Sequence, residues 1–269
     1  MEKELNSLEG MLVYEEVNRS EAQGYTILDT TWAFKRKRFP DGSVRKLKAR
    51  LCVRGDQQVS EVDFFETYAP VIQWGTVRML LVISITMNMV SKQVDYTYAF
   101  VHAPMENKVY VELPPLYGKQ NKIWKLKQSL YGLRQSPLNF FQHLKRNLEQ
   151  RGWKASEIDP CLFFKGDVIC LVYVDDCLFF GKTLEDIDVE IRLFQEKKPD
   201  KFLLEEENNV AGFLGILMKK EDGKVELTQT GLITRILDMM GLEDSTAKST
   251  PSEKGPLKKD EFGPPCTEG

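Results

Sequence analysis

The most informative hydrophobic pattern lies between Val168 and Phe180, where two apolar runs flank the adjacent carboxylates Asp175 and Asp176. Both runs are rich in Val, Ile, Leu, Phe and Tyr, which is typical of strands, whereas Asp favours turns. The pattern predicts a β-hairpin with the two carboxylates at or beside its tip. Turn chemistry alone would explain an isolated Asp-Asp pair. The alternative is a metal site, because a divalent cation relieves the repulsion between two carboxylates that are held rigidly together.

Hydrophobic periodicity and turn signals predict the other elements. The helices expected from the pattern cover residues 2–17, 76–87, 136–150, 183–194 and 228–241, and the further strands cover 26–39, 44–55, 90–94, 108–113, 123–127, 213–219 and 224–227. Ser136 and Thr228 are expected N-caps, and Thr183 with Asp186 forms a capping box. The helix over residues 76–87 is apolar almost all round, which predicts burial. Mixed strands and helices in this order predict an α+β fold with an antiparallel sheet backed by helices.

Composition excludes some classes of protein. The chain has 269 residues, 42% of them hydrophobic and 29% charged, with a net charge of −3, as in ordinary globular proteins. Five cysteines without paired spacing and only two histidines argue against a zinc site and for free thiols in a reducing compartment. No apolar run reaches membrane-spanning length, and the N-terminus is charged, so we expect an intracellular protein without a membrane span or secretory signal.

Positive charge is concentrated between Thr31 and Arg54, where nine Lys or Arg residues stand against a single acid, Asp41. The turn signal at residues 40–43 folds this stretch into a basic hairpin. Alternation along each strand allows only half of the cations to share a face. The hairpin is either a solvated surface or a phosphate-binding one.

A third carboxylate, Asp95, follows the strand predicted over residues 90–94. An antiparallel sheet can bring the end of that strand beside the tip that carries Asp175 and Asp176. Three converging carboxylates suit two Mg²⁺ ions about 3.5–4 Å apart, as used for in-line phosphoryl displacement. The basic hairpin would then hold triphosphate oxygens.

Eight stretches in this order resemble the reverse transcriptase of copia-type LTR retrotransposons, over roughly residues 1–251. They are ILDTTWAFKRKRFPDGSVRKLKARLCVRG, FFETYAPV, QVDYTYAFVHAPMENKVYVELPP, KLKQSLYGLRQSPLNFF, DPCLFF, LVYVDDCLFFG, FLGI and KSTP. The resemblance implies an RNA-directed DNA polymerase with the right-hand fold of fingers, palm and partial thumb. It implies fingers over residues 1–75 and 108–134, palm over 76–107 and 135–223 with a primer-grip hairpin, the start of a thumb over 224–248, and a linker or disordered tail over 249–269.

Site residues follow from matching these motifs position by position. The resemblance implies that Asp95, Asp175 and Asp176 are catalytic and bind two Mg²⁺ ions, for which Mn²⁺ can substitute. It assigns Phe100 as the gate that excludes ribonucleotides. The implied dNTP contacts are Phe100, Tyr131, Gly132, Lys37, Lys48 and Arg50. The implied template and primer contacts are Val174, Gln135, Ser136, Pro137, Phe213, Leu214 and Gly215.

The resemblance also implies partners. These are an RNA or DNA primer–template, dNTPs, and the integrase and ribonuclease H domains of a parent Pol polyprotein, inside the cell or in the element's virus-like particle. The chain departs from the family at His102-Ala103, where Asn-Gly is usual. Two alternatives to an active polymerase remain open. One is a non-catalytic nucleic-acid-binding remnant of such an element, and the other is a fragment that is inactive without its neighbouring domains.

Overall fold

The computed structural model describes residues 1–38, 44–115, 117, 121–196, 200–207, 217–221, 224–242 and 244–246. The chain divides into two compact units, Met1–Thr228 and Gln229–Gly269. The turn predicted at 40–43, the primer-grip residues Phe213, Leu214 and Gly215, and the tail over 249–269 lie outside the described residues. Among the helices that are described, none is long and apolar enough to cross a membrane.

Among the described residues, runs of three or four strands separate successive α-helices, and the α+β prediction is confirmed. The helices are α1 (Glu2–Gly10), α2 (Trp74–Thr86), α3 (Ser136–Gln150), α4 (Leu184–Gln195) and α5 (Thr230–Met240). The strands are β1 (Tyr14–Asn18), β2 (Ile27–Leu28), β3 (Thr30–Arg38), β4 (Val44–Val53), β5 (Val90–Tyr96), β6 (Tyr110–Val111), β7 (Lys122–Leu126), β8 (Lys154–Ala155), β9 (Leu162–Lys165), β10 (Val168–Tyr173), β11 (Asp176–Gly181), β12 (Leu204–Glu207), β13 (Leu217–Glu221) and β14 (Lys224–Thr228).

The central sheet has six strands in the order β12-β5-β11-β10-β9-β8, and every neighbouring pair is antiparallel. One face packs on α3 and α4, where Tyr96, Cys177 and Phe179 meet Phe140 and Phe194. Much of the other face packs on α2. Because both faces are covered, β10 reads as an almost continuous apolar run, VICLVY, rather than an alternating one. The antiparallel sheet backed by helices, expected from the sequence, is therefore present.

The chain forms two further β structures, a small four-stranded sheet and the basic hairpin. The small sheet has the order β1-β7-β6-β2, and the basic hairpin pairs β3 with β4. Helix α1 packs Leu5 and Leu8 into a core that also contains Leu51 and Val53 of β4 and Trp124 of β7. The basic hairpin is thus anchored at its base by apolar contacts.

Several local predictions were wrong at helix ends. The helix expected to reach Val17 ends at Gly10, because residues 14–18 pair with β7 as a strand. Helix α3 takes Gln135 as its N-cap, and Ser136 is its first helical residue. Helix α5 is preceded by Gln229 rather than capped by Thr228, although it ends at Gly241 as predicted.

Helix α2 also differs from its prediction. It buries only one side, through Val77, Leu80, Leu81 and Ser84. Val82 on another side is 62% exposed. Helix α2 therefore has more apolar side chains than its contact with the central sheet buries.

Gly132 fixes the basic hairpin to the segment that follows β7. It has a φ of +92°, and an added Cβ would lie 2.0 Å from the carbonyl oxygen of Val53. At the same place the Val53 N–H donates to the Tyr131 carbonyl over 2.7 Å. Only glycine combines this backbone conformation with so close an approach.

We expect Gly132→Ala to lower the free energy of unfolding by about 2–4 kcal/mol, because backbone strain and overpacking add at this position. Urea unfolding followed by circular dichroism measures the change. The matched control is Gly152→Ala, since Gly152 has a φ of +85° but nothing within 4 Å of an added Cβ. It should lose only about 1 kcal/mol. Equal losses in the two variants would show that the close contact with Val53 is unimportant.

Candidate active site

The predicted carboxylate hairpin is present. Tyr173 and Asp176 form the last pair between β10 and β11, so Val174 and Asp175 make a two-residue turn. Val174 has a φ of +53°. A β-branched residue rarely adopts this conformation, and such strain persists only where the surrounding structure imposes it. The turn is therefore held by the packed strands on both sides and not by its own sequence preference.

Three carboxylates form a row across the central sheet. Asp176 on β11 lies directly opposite Asp95 on β5, and Asp95 lies opposite Glu205 on β12. Directly paired residues on antiparallel strands share a face, with Cβ atoms about 4.5–5.5 Å apart. Asp175 is one residue away in the turn. The structure thus brings together the three predicted aspartates and adds Glu205.

Burial and this crowding of like charges both change the pKa of Asp95. Burial raises the pKa of Asp95 from 3.8 to about 6, and the charges of Asp175, Asp176 and Glu205 push it in the same direction. Lys48 opposes the rise. Asp95 is therefore partly protonated near pH 6 unless a cation joins the site.

Backbone and side-chain contacts hold the carboxylates in place. The Tyr96 N–H donates to the carbonyl oxygen of Asp175 over 2.8 Å, which ties the hairpin turn to β5. Gln93 is buried, and its Nε2 donates to Oδ1 of Asp176 over 3.3 Å. Sequence reasoning missed Gln93. Its position two residues before Asp95 on the same strand places it on the same face, and that spacing could have revealed it.

The carboxylates share a cleft of about 580 Å³ with three cations, Lys35, Lys48 and Arg50, which together form the cationic wall. The cleft is lined by Ala33, Phe34, Lys35, Lys48, Arg50, Asp95, Asp175 and Asp176. Lys35 pairs with Lys48 and Ala33 pairs with Arg50 across the basic hairpin, so all four project from one face. Lys48 and Arg50 were predicted to contact the nucleotide, whereas Lys35 was not. The side chain of Lys37 lies outside the described residues.

Phe100 and Tyr131 pack together beside the cleft. Their ring centroids are 5.0 Å apart, and the Arg50 guanidinium lies 4.8 Å from the Tyr131 ring centroid. Burial raises the pKa of Tyr131, while the charge of Arg50 opposes that rise. Phe100 belongs to a short 3₁₀ helix, Ala99–His102, that follows β5. The predicted gate is thus connected to the cationic wall through Tyr131.

The residues predicted for the template side are largely occupied within the protein. Gln135 is buried, its Oε1 accepts from Nε2 of Gln58, and its Nε2 donates to the Asp63 carbonyl. The Ser136 hydroxyl donates to the Leu130 carbonyl over 2.7 Å, and Pro137 follows it in the first turn of α3. These contacts fix the segment that carries Tyr131. A direct contact between this helix start and a template stays a prediction.

The donor set of the site suits a hard cation. Asp95, Asp175 and Asp176 offer carboxylate oxygens, which Mg²⁺ and Mn²⁺ prefer, and the raised pKa of Asp95 reflects burial and nearby negative charge, both of which a cation would offset. Across the part of the chain that the structure describes, no three side chains are arranged as a ready-made set of metal ligands. Small movements of the carboxylates would therefore accompany metal binding.

Comparison with known proteins identifies the class. The family model for reverse transcriptase (RNA-dependent DNA polymerase) matches residues 13–254. The chain therefore belongs to the reverse transcriptase family. The predicted resemblance to copia-type elements is also confirmed, since the relatives are Pol polyproteins of copia-type transposons from plants and yeast.

The curated relatives are much longer than this chain. It is 29% identical over 259 residues to the retrovirus-related Pol polyprotein from transposon TNT 1-94 of Nicotiana tabacum, covering 93% of this chain and 19% of the relative. It is 29% identical over 273 residues to the transposon Ty1-ER2 Gag-Pol polyprotein of Saccharomyces cerevisiae, covering 95% and 14%. Among solved structures, the foamy viral protease-reverse transcriptase in complex with double-stranded DNA matches with a TM-score of 0.45 and 15% identity, over 83% of this chain and 33% of that one.

We expect Asp95→Asn to stabilise the protein at neutral pH in the absence of divalent ions. Because the folded-state pKa of Asp95 is raised from 3.8 to about 6, the folded protein binds this proton more tightly than the unfolded chain does. Stability therefore falls as pH rises from about 4 to 6. The variant should gain about 1–2 kcal/mol at pH 7.5, after a discount for solvent screening, and almost nothing at pH 4.

Urea unfolding in the presence of a chelator, at both pH values, measures this difference. Glu157→Gln, which removes an exposed carboxylate from the same unit, is the control and should change little at either pH. A gain from Asp95→Asn that is the same at pH 4 and 7.5 would contradict the assigned charge crowding.

Proposed function

We propose that this chain is an RNA-directed DNA polymerase that adds dNTPs to a primer on an RNA or DNA template. The observation that carries the proposal is the pairing of Asp95 with Asp176, beside Asp175 in the turn, opposite the cationic wall of Lys35, Lys48 and Arg50. An incoming nucleotide brings both a polyphosphate and its cation. In this cleft the aspartates suit the cation, and the cationic wall suits the polyphosphate.

Each wall has its own task in this proposal. Asp95, Asp175 and Asp176 would hold two Mg²⁺ ions, or Mn²⁺ in their place. Ions held there would supply Lewis-acid chemistry for phosphoryl transfer and would offset negative charge on the phosphates. Lys48 and Arg50, together with Lys35, would bind triphosphate oxygens by charge-assisted hydrogen bonds. Val174, beside Asp175, would contact the primer end.

The subdivision into fingers and palm receives support from strand pairing. Every strand of the small sheet and the basic hairpin falls within residues 1–75 or 108–134, the ranges proposed for the fingers. Every strand of the central sheet falls within 76–107 or 135–223, the ranges proposed for the palm. The thumb over 224–248, the primer grip at 213–215, and a parent polyprotein with integrase and ribonuclease H complete the proposal.

The proposal predicts primer extension by the purified protein on an RNA template with dNTPs and Mg²⁺ or Mn²⁺. Asp175→Asn should reduce extension by at least about a thousandfold, because it removes a metal-binding charge from the reacting centre. Incorporation of labelled dNTP into the primer measures the rate. Asp167→Asn, in the neighbouring turn between β9 and β10, is the matched control and should retain activity.

Two outcomes would contradict the assignment. One is a folded wild-type protein that does not extend a primer, and the other is full activity in Asp175→Asn. Binding of an RNA–DNA hybrid without extension would instead support the alternative of a non-catalytic nucleic-acid-binding remnant.

Phe100→Ala is expected to increase the use of ribonucleotides. The Phe100 ring packs against Tyr131 at 5.0 Å, beside the cleft, where it would occupy the space that a 2′-hydroxyl needs. Discrimination against ribonucleotides, taken as the ratio of kcat/KM values for dNTP and rNTP, should fall about tenfold or more. Phe164→Ala, at a partly exposed ring on β9, is the control. An unchanged ratio in Phe100→Ala would remove the gate assignment.

A further inference from the structure

Helix α1 carries a buried carboxylate that the proposed reaction does not use. The helix lies before residue 13, where the family match starts. Leu5 and Leu8 pack in the core at the base of the basic hairpin, and Glu4 beside them is only 5% exposed. The packing of two leucines therefore brings an acidic side chain against the hairpin.

Glu4 lies on the other side of the cations that line the cleft. It lines a second cavity of about 580 Å³ together with Lys35, Lys48 and Tyr98. Lys35 and Lys48 line both cavities. These two lysines are therefore shared between the carboxylate of Glu4 and the aspartates of the candidate active site.

A buried carboxylate is costly unless positive charge compensates it. Burial raises the pKa of Glu4, whereas hydrogen bonds from Tyr98 and the backbone of Leu51 and the charges of Lys48 and Arg50 act to lower it. Within the described residues, neither Oε1 of Glu4 nor Nε of Arg50 has a hydrogen-bond partner. Both of these atoms are buried, so they stay unsatisfied within the part of the protein that the structure describes. Lys48 lines the cleft of the candidate active site as well as the cavity beside Glu4.

Glu4 also reaches the segment that carries the gate. Tyr98, which faces it, has a left-handed backbone with φ of 59° and stands directly before the 3₁₀ helix that contains Phe100. A tie between Glu4 and Tyr98 joins α1 to this strained turn. The Glu4 carboxylate therefore lies beside Lys48 of the cationic wall and beside Tyr98, which precedes the gate residue Phe100.

We propose that Glu4 is a positioning residue that orients Lys48 and the Tyr98 turn for the triphosphate of an incoming nucleotide. This inference rests on the proposed polymerase function. Its physical basis is preorganisation, since cations that are already held in place lose less freedom when the phosphate binds.

The test compares Glu4→Gln with Glu2→Gln, which removes an exposed carboxylate from the same helix. Steady-state extension gives KM for dTTP and kcat per active site, with active sites titrated by a single-turnover burst. Glu4→Gln should raise KM about tenfold and change kcat less than about threefold, whereas Glu2→Gln should match the wild type. A purely structural role would lower the number of active sites and leave KM unchanged.

A second readout does not depend on turnover. Stabilisation of the full chain against heat by dTTP with Mg²⁺ should be weaker in Glu4→Gln than in Glu2→Gln, because fewer oriented cations contribute to binding. If Glu4→Gln does not fold, Tyr98→Phe takes its place. It keeps the ring, removes the hydroxyl that faces Glu4, and should raise KM about threefold.

The outcomes separate the two proposals. A wild-type protein that extends primers, with KM and dTTP stabilisation unchanged by Glu4→Gln or by Tyr98→Phe, would overturn the role of Glu4 and leave the polymerase function intact. A wild-type protein that neither extends primers nor is stabilised by dTTP would overturn both. A wild type that is stabilised by dTTP without extension, with that stabilisation lost in Glu4→Gln, would support Glu4 and overturn the polymerase function.

Discussion

Repulsion between carboxylates fixed on neighbouring strands is the interaction on which the candidate site depends. Strand register places Asp95 opposite Asp176, and the two backbones cannot separate without breaking ladder hydrogen bonds. The raised pKa of Asp95 is the consequence of burial first and of the neighbouring carboxylates second. Such an arrangement costs stability unless a cation is present, which is why sites of this kind trade stability for function.

The apolar cores on both faces of the central sheet keep the strands in this register. Tyr96 and Cys177 pack toward α3 and α4, while Leu178 and Phe180 pack toward α2. A slip of one residue between β5 and β11 would turn aspartates into the core and large apolar side chains toward the cleft, because the side-chain period of a strand is two. The cost of such a slip exceeds the repulsion between the carboxylates. Hydrophobic packing therefore imposes the electrostatic strain.

Local signals allowed part of this structure to be predicted from the sequence. The capping box of Thr183 and Asp186 and the hairpin around Asp175 both depend on residues a few positions apart, and both are present. Predictions failed where distant pairing decided the outcome. Residues 14–18 have apolar neighbours at helical spacing, but they form a strand because β7, about a hundred residues later, offers them backbone partners. Tertiary pairing overrode local preference there.

The candidate site was predictable in its chemistry and less so in its surroundings. Asp95 and Asp175 could be predicted from the motifs that contain them. Glu205 and Lys35 could not, because only the pairing of their strands places them in the site. Glu4 enters only through the packing of α1. With these added residues the charges form three layers, which are the aspartates with Glu205, the cationic wall, and Glu4 beside that wall. If the chain is a polymerase as proposed, this order of charges would keep the cations oriented toward the cleft before the polyphosphate of a nucleotide binds.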